Sequence, residues 1–148
     1  MKRKKLWEII SRKNILTEKE LEFLQTLTNK LYFNCKGDRY YYRDGVPQGM
    51  ATSPACFDIY MEDFLRKIQD QTPEHFKFWY LAYADDLVFT VELKHLDETL
   101  KWFEKIALDY NLKLNYKKSG IFVVKNNIIP DMPELKIPFV TTYKYLGV

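Results

Sequence analysis

Residues 81–90 read LAYADDLVFT, with Asp85 and Asp86 side by side in an otherwise apolar stretch. FWYLAY (78–83) precedes the pair and LVFTV (87–91) follows it. Both runs read as short, buried strands joined at Ala84-Asp85, which places the aspartates at the tip of a hairpin. Adjacent carboxylates repel unless something positive lies beside them, and a divalent cation serves well. Mg²⁺ takes oxygen ligands, usually one or two carboxylates completed by waters and substrate phosphates. A site with two such ions stabilises both the attacking and the leaving oxygen of a phosphoryl displacement. An aspartate pair alone reads as a solvated turn, but the apolar flanks argue against that here.

Working outward, KKLWEIISRKN (4–14) reads as a helix with Leu6, Ile9 and Ile10 on one face. The basic cluster Lys2, Arg3, Lys4 and Lys5 reads as solvated, since a helix N-terminus favours acids. Thr17 and Glu20 form a capping box opening a second helix, followed by Leu21, Leu24, Thr28 and Leu31. LYFNCKGDRYYY (31–42) reads as a hairpin turning at Lys36-Gly37-Asp38, with the tyrosines Tyr40, Tyr41 and Tyr42 buried on a neighbouring layer. GVPQGMATSP (45–54) is a loop, after which Ser53 caps a third helix and Pro54 takes its first position. Phe57, Tyr60, Met61, Phe64, Leu65 and Ile68 form the buried stripe of that helix. LDETLKWFEKIALDYN (96–111) is a fourth helix, acidic at its start, with Leu100, Phe103 and Ala107 inward and Asn111 ending it. LKLNYKKSGIFVV (112–124) returns as a strand, and a polar, proline-bearing connection leads to TTYKYLGV (141–148). The order α-α-ββ-α-ββ-α-β-β gives an α+β fold, an antiparallel sheet with helices packed on one face.

The chain has 148 residues, 47% of them hydrophobic and 16% aromatic, which suits one globular domain of ordinary core size. A net charge of +3 permits a polyanionic partner without requiring one. Cys35 and Cys56 are far apart and form no CxxC, which fits reduced thiols in an intracellular compartment, cytoplasmic or nuclear. No apolar run is long enough for a membrane span, and MKRKKLWEII lacks the apolar core of a secretion signal. His75 and His95 read as surface residues without a metal role, and Trp7, Trp79 and Trp102 as core or interface packing.

Four blocks together resemble the reverse transcriptase family. YADDLVFTV (83–91) looks like its Y-x-D-D metal-binding hairpin, and GVPQGMATSP with the following ACFDIYMEDFL is similar to its GxPQG…SP segment and helix. LKLNYKKS (112–119) resembles the next block, and YKYLGV (143–148) resembles the primer-gripping hairpin. The blocks stand in the family's order and cover most of the chain from Gly45 onward; the style is closest to non-LTR retrotransposon, group II intron and retron enzymes. The resemblance implies a polymerase palm, here divided into helices and hairpin (1–44) and palm core (45–148) within one partial domain. It implies an RNA-directed DNA polymerase that uses Mg²⁺, or Mn²⁺ in its place, with an RNA template, a DNA primer and dNTPs as partners. On it, Asp85 and Asp86 are catalytic metal ligands, and Lys118 meets the triphosphate and gives a proton to the leaving pyrophosphate. Pro47, Gln48, Gly49, Tyr83 and Ala84 contact nucleotide or template, and Tyr145, Leu146 and Gly147 support the primer.

The family also has an earlier block, a strand ending in a third metal-binding aspartate. Here only Asp38 and Asp44 precede the PQG segment, and neither has strand context. Fingers and thumb are likewise missing from the pattern. The resemblance therefore implies a chain inactive alone, partnered by the remainder of a polymerase, with an exposed apolar sheet edge where the absent strand would lie. The alternative is a non-catalytic nucleic-acid-binding or scaffold module derived from a palm, with Lys113, Lys117, Lys118, Lys125 and Lys144 as its basic residues. An RNA-dependent RNA polymerase is weaker still, since Ala84 stands where those enzymes carry glycine.

Overall fold

In the computed structural model, residues 1–124, 132 and 135–144 are described. Four helices are α1 (Arg3–Arg12), α2 (Glu18–Lys30), α3 (Ser53–Gln71) and α4 (Leu96–Asp109). Strands β1 (Tyr32–Cys35) and β2 (Asp38–Tyr41) form one hairpin, and β3 (Trp79–Tyr83) and β4 (Asp86–Thr90) another. Strands β5 (Ile121–Phe122) and β6 (Phe139–Val140) pair in parallel, and a 3₁₀ turn, Leu93–His95, precedes α4. The expected order of helices and hairpins and the α+β class hold, but the strand expected over 112–124 shrinks to Ile121–Phe122, with a turn at 116–118, and its partner Phe139–Val140 falls in the stretch read as a connection. The single sheet does not hold: among the described residues the strands make three separate two-stranded units.

The core lies between helices. Leu6, Ile9 and Ile10 of α1 meet Cys56, Tyr60, Phe64 and Ile68 of α3 and Phe103, Ile106 and Ala107 of α4, with Tyr110 just beyond. Helix ends follow their sequence signals. Thr17 and Glu20 form a reciprocal capping box at α2. Asn111 takes the left-handed conformation (φ 50°) after α4, and the N–H groups of Asn111 and Leu112 bond the carbonyls of Leu108 and Ala107. Ser53 differs from expectation. It is the first helical residue of α3 rather than the cap, which is Thr52, and its hydroxyl is engaged elsewhere.

One buried carboxylate joins three helices. Asp63 on α3 pairs with Arg12 on α1 and accepts a 2.8 Å hydrogen bond from the Tyr110 hydroxyl. Tyr60 completes the knot by donating to the Tyr110 carbonyl at 2.7 Å. Burial and the bond to Asp63 push the Tyr110 phenol well above its usual 10.0. The basic cluster also departs from the solvated reading. Lys2 and Lys4 are exposed, but Arg3 is buried and Lys5 lies 3.6 Å from the centre of the Tyr110 ring while donating to the Asp109 carbonyl. The acid-poor start of α1 is therefore tied by its cations to neighbouring elements.

The hairpins behave differently from buried strands. Every residue of β1 and β2 is exposed. The turn Lys36-Gly37 has positive φ at both positions (52° and 90°), the conformation that matches the strand twist of a two-residue hairpin. Phe33 stacks on Tyr40 and Tyr32 leans on Tyr41, so Tyr40 and Tyr41 pack across the hairpin and not under another layer. Hairpin β3–β4 packs on the helices by one face only. Phe89 stacks on Phe103 at 5.5 Å, Phe78 meets Trp102, and Leu87 joins the main core. Its other face carries the cross-strand pairs Trp79–Thr90, Leu81–Val88 and Tyr83–Asp86. There Trp79, Leu81 and Tyr83 are 54%, 50% and 65% exposed, so the apolar run around the aspartates is not buried and Trp79 is not core. Trp7 and Trp102, by contrast, pack against the main core as expected.

Two outcomes follow. Because Tyr110 is held neutral, its contribution is complete below pH 10.0, the ordinary phenol value, and is lost as pH rises toward its elevated folded value. Tyr110→Phe lowers urea stability at neutral pH by about 1–3 kcal/mol, because Asp63 loses a hydrogen bond, and flattens the alkaline decline. The open apolar face of β3–β4 promotes self-association. Leu81→Lys shifts sedimentation toward monomer without lowering helix content; unchanged sedimentation rules that face out as the contact.

Candidate active site

The aspartate pair sits where sequence places it, at the tip of β3–β4. Ala84 and Asp85 form the two-residue connection and Asp86 opens β4 opposite Tyr83. Ala84 adopts φ 50°, a left-handed conformation most comfortable for glycine. Tyr83, Ala84, Asp85 and Asp86 are all exposed. Neither aspartate side chain has a hydrogen bond or ion pair among the described residues. No third Asp, Glu, His or Cys there comes close enough to complete a metal-ligating group with them. Asp38 lies in β2 and Asp44 in the loop before Gly45, both exposed.

The donor set suits a hard cation. Two oxygen-only ligands stand in open solvent with no cation among the described residues paired to them, leaving room for waters and phosphate oxygens, as Mg²⁺ prefers.

The PQG loop is built from the inside. Pro47 is buried, while Gln48 and Gly49 are exposed. Gly45 and Gly49 have φ of 72° and 85°, values that admit glycine at no steric cost. Three tethers hold the loop. The Ser53 hydroxyl donates to the Pro47 carbonyl at 2.5 Å, the Gly45 N–H donates to the Met1 carbonyl at 3.0 Å, and Arg3 Nε donates to the Gly45 carbonyl at 3.0 Å. Arg3 also donates to Asn29 Oδ1 at 3.1 Å, linking the loop to α2. Sequence reasoning missed Arg3, whose partners lie far along the chain, and misjudged Ser53, whose hydroxyl turns back to the loop instead of capping the helix. Burial nonetheless lowers the affinity of Arg3 for its proton, and Asp44 opposes that effect.

Lys118 is exposed in the turn after Asn115, and its backbone carbonyl accepts a 2.7 Å bond from Tyr143. That bond ties the lysine block to the start of YKYLGV. Tyr145, Leu146 and Gly147, expected to support a primer, lie outside the described residues, as does Lys125. The structure thus presents Asp85, Asp86, Gln48 and Lys118 at the surface on three separate elements.

A family model described as reverse transcriptase (RNA-dependent DNA polymerase) matches residues 5–148, nearly the whole chain. The chain belongs to the reverse transcriptase family. No curated protein and no solved structure matches it. Within this reverse transcriptase chain, the match spans the PQG loop, the aspartate hairpin and the lysine block together. No described helix is long and apolar enough to cross a membrane.

Arg3→Met keeps the bulk of the side chain but removes the charged anchor of the loop. Amide exchange at residues 45–49 then quickens, with a stability loss of about 1–3 kcal/mol. Ser53→Ala has a smaller effect in the same place, and equal protection in wild type and both variants would show that these bonds do not hold the loop.

Proposed function

We propose that this chain carries the nucleotide-transfer centre of an RNA-directed DNA polymerase, which joins dNTPs to the 3′ end of a DNA primer on an RNA template. The carrying observation is the Asp85–Asp86 pair, exposed and unpaired at a hairpin tip, in a chain of the reverse transcriptase family. Bound Mg²⁺, or Mn²⁺, would supply charge stabilisation to the attacking and leaving oxygens. Asp85 and Asp86 would hold it. Their exposure lets them bind without first breaking an internal ion pair, so no desolvated partner is left behind.

The other residues take roles suited to their settings. Gln48, at the head of a tethered loop, would contact nucleotide or template, with Pro47 fixing the loop and Gly49 allowing close backbone approach. Tyr83 and Ala84 would line the same nucleotide. Lys118 is a compact cation for the triphosphate and a proton source for the pyrophosphate leaving oxygen. Tyr145, Leu146 and Gly147 would support the primer.

Two carboxylates do not fix two ions at a set separation. A further carboxylate must come from outside the described residues before phosphoryl transfer proceeds at a useful rate. The remainder of a polymerase is the natural source. A second reading, a non-catalytic nucleic-acid-binding module, draws on the exposed aromatic ladder of β1–β2. It requires salt-sensitive binding that Asp85→Asn leaves unchanged.

Mn²⁺ titration followed by NMR tests the first reading. Paramagnetic broadening centred on residues 83–86 is expected, strengthened by added dNTP and abolished by Asp85→Asn. Lys118→Ala should remove only the dNTP-dependent part. Broadening spread evenly over the surface would sink the assignment. In primer extension the chain alone should yield no product; Asp85-dependent product would show that the two carboxylates suffice.

A further inference from the structure

His75 lies in the connection after α3, and His95 and Glu98 lie at the start of α4. The fold brings the three together. One ligand atom from each falls within 4.8 Å of the other two. His75 Nε2 stands 3.7 Å from one Glu98 oxygen, and His95 Nδ1 stands 3.6 Å from the other. Both gaps exceed a normal hydrogen bond. They lie close to the edge of a ligand tetrahedron, which is about 3.3 Å for bonds of about 2.0–2.1 Å. The carboxylate and imidazoles thus leave a gap that an ion between them can bridge.

The ligands stand on fixed backbone. Phe76 is buried and touches the rings of His75, His95 and Trp102, so it anchors the connection beside α4. The Phe76 N–H bonds the Pro73 carbonyl, and the His95 N–H bonds the Glu92 carbonyl, each at 2.9 Å. The two imidazoles face each other edge to face at 5.3 Å. Lys77 and Lys94 are both paired with Glu92, and Lys101 with Asp97. A cation near a helix N-terminus opposes the helix dipole. Here Glu98 itself and Asp97 on the same turn offset that opposition.

We propose that His75, His95 and Glu98 form a zinc site. Two imidazoles and one carboxylate are a borderline donor set suited to Zn²⁺ and poorly matched to Mg²⁺, with a fourth position left for water. Its place in the fold gives it a consequence. His75 precedes β3 and His95 follows β4, so the ion clips together the base of the hairpin whose tip carries Asp85 and Asp86. Zinc would lower the loop-closure cost of that hairpin and hold it against α4. The site stands apart from the polymerase reading and does not depend on it.

Isothermal titration of the full chain with ZnCl₂, with thermal melting in parallel, tests the proposal. One Zn²⁺ per chain and a raised Tm are expected. His75→Ala, His95→Ala and Glu98→Gln should each weaken binding by more than about a hundredfold, beyond the roughly 10–100-fold that loss of an outer partner typically costs. His75 is exposed, so its variant keeps the fold, and it should melt at the same temperature with and without zinc. Co²⁺ should give visible bands of a four-coordinate site that His75→Ala removes. Zinc affinity unaltered by His75→Ala, or zinc binding lost only with Asp85→Asn, would overturn the site.

Discussion

Asp63 is the charge on which the helical scaffold turns. It sits on the inner face of α3, and it would carry a heavy desolvation cost if left alone there. Arg12 reaches it from α1 and Tyr110 from the end of α4, so satisfying one carboxylate fixes the mutual placement of three helices. Tyr60, one turn earlier on α3, returns a bond to the Tyr110 carbonyl and closes the knot with neutral groups. Phe64 packs edge-on against both Tyr110 and Phe103, which carries the constraint along α4. Phe103 is in turn the ring on which Phe89 stacks. The position of the aspartate hairpin is thus linked, contact by contact, to a buried carboxylate whose cation, Arg12, reaches it from the surface.

That inheritance explains why the hairpin can leave its other face open. Phe78, Leu87 and Phe89 anchor it to the helices, and the anchoring face alone suffices to place the tip. The outward face then follows from strand alternation: a run apolar on both sides of the sheet must bury one side elsewhere or expose it. Trp79, Leu81 and Tyr83 are exposed here, on the same face as Asp86. An apolar surface ending in an acid is what a strand built for two-sided burial looks like when only one side is covered.

Much of this was legible in the sequence, and the reasons are local. The capping box at Thr17, the asparagine stop at Asn111, the Lys36-Gly37 turn and the aspartate tip all depend on residues a few positions apart, and each stands where its pattern puts it. The stripe on α3 was legible for its apolar members. Asp63 was overlooked there because the pattern counts hydrophobes, although an acid between Tyr60 and Phe64 on a buried face is itself a signal. Burial of the strands was misread, since apolar composition says that a strand seeks cover and not that this chain provides it. Arg3 was out of reach for another reason: its partners Gly45 and Asn29 lie far along the chain, as His75 lies far from His95 and Glu98, and only tertiary packing brings them together.

The carboxylates divide accordingly into two kinds. Asp63 has its partners within the chain, Arg12 at the surface and the buried Tyr110 hydroxyl, so it stabilises the fold and has no capacity left for a ligand. Asp85 and Asp86 have none among the described residues, and a pair of adjacent acids without one repels itself. Their exposure keeps that repulsion small, because water screens it, and the same exposure leaves their lone pairs open to a cation. A scaffold that neutralised them internally would be more stable and chemically silent. The paired charge of Asp63 serves structure and the pair Asp85–Asp86 is left unpaired among the described residues, and the hairpin between Phe103 and solvent is the element that separates the two.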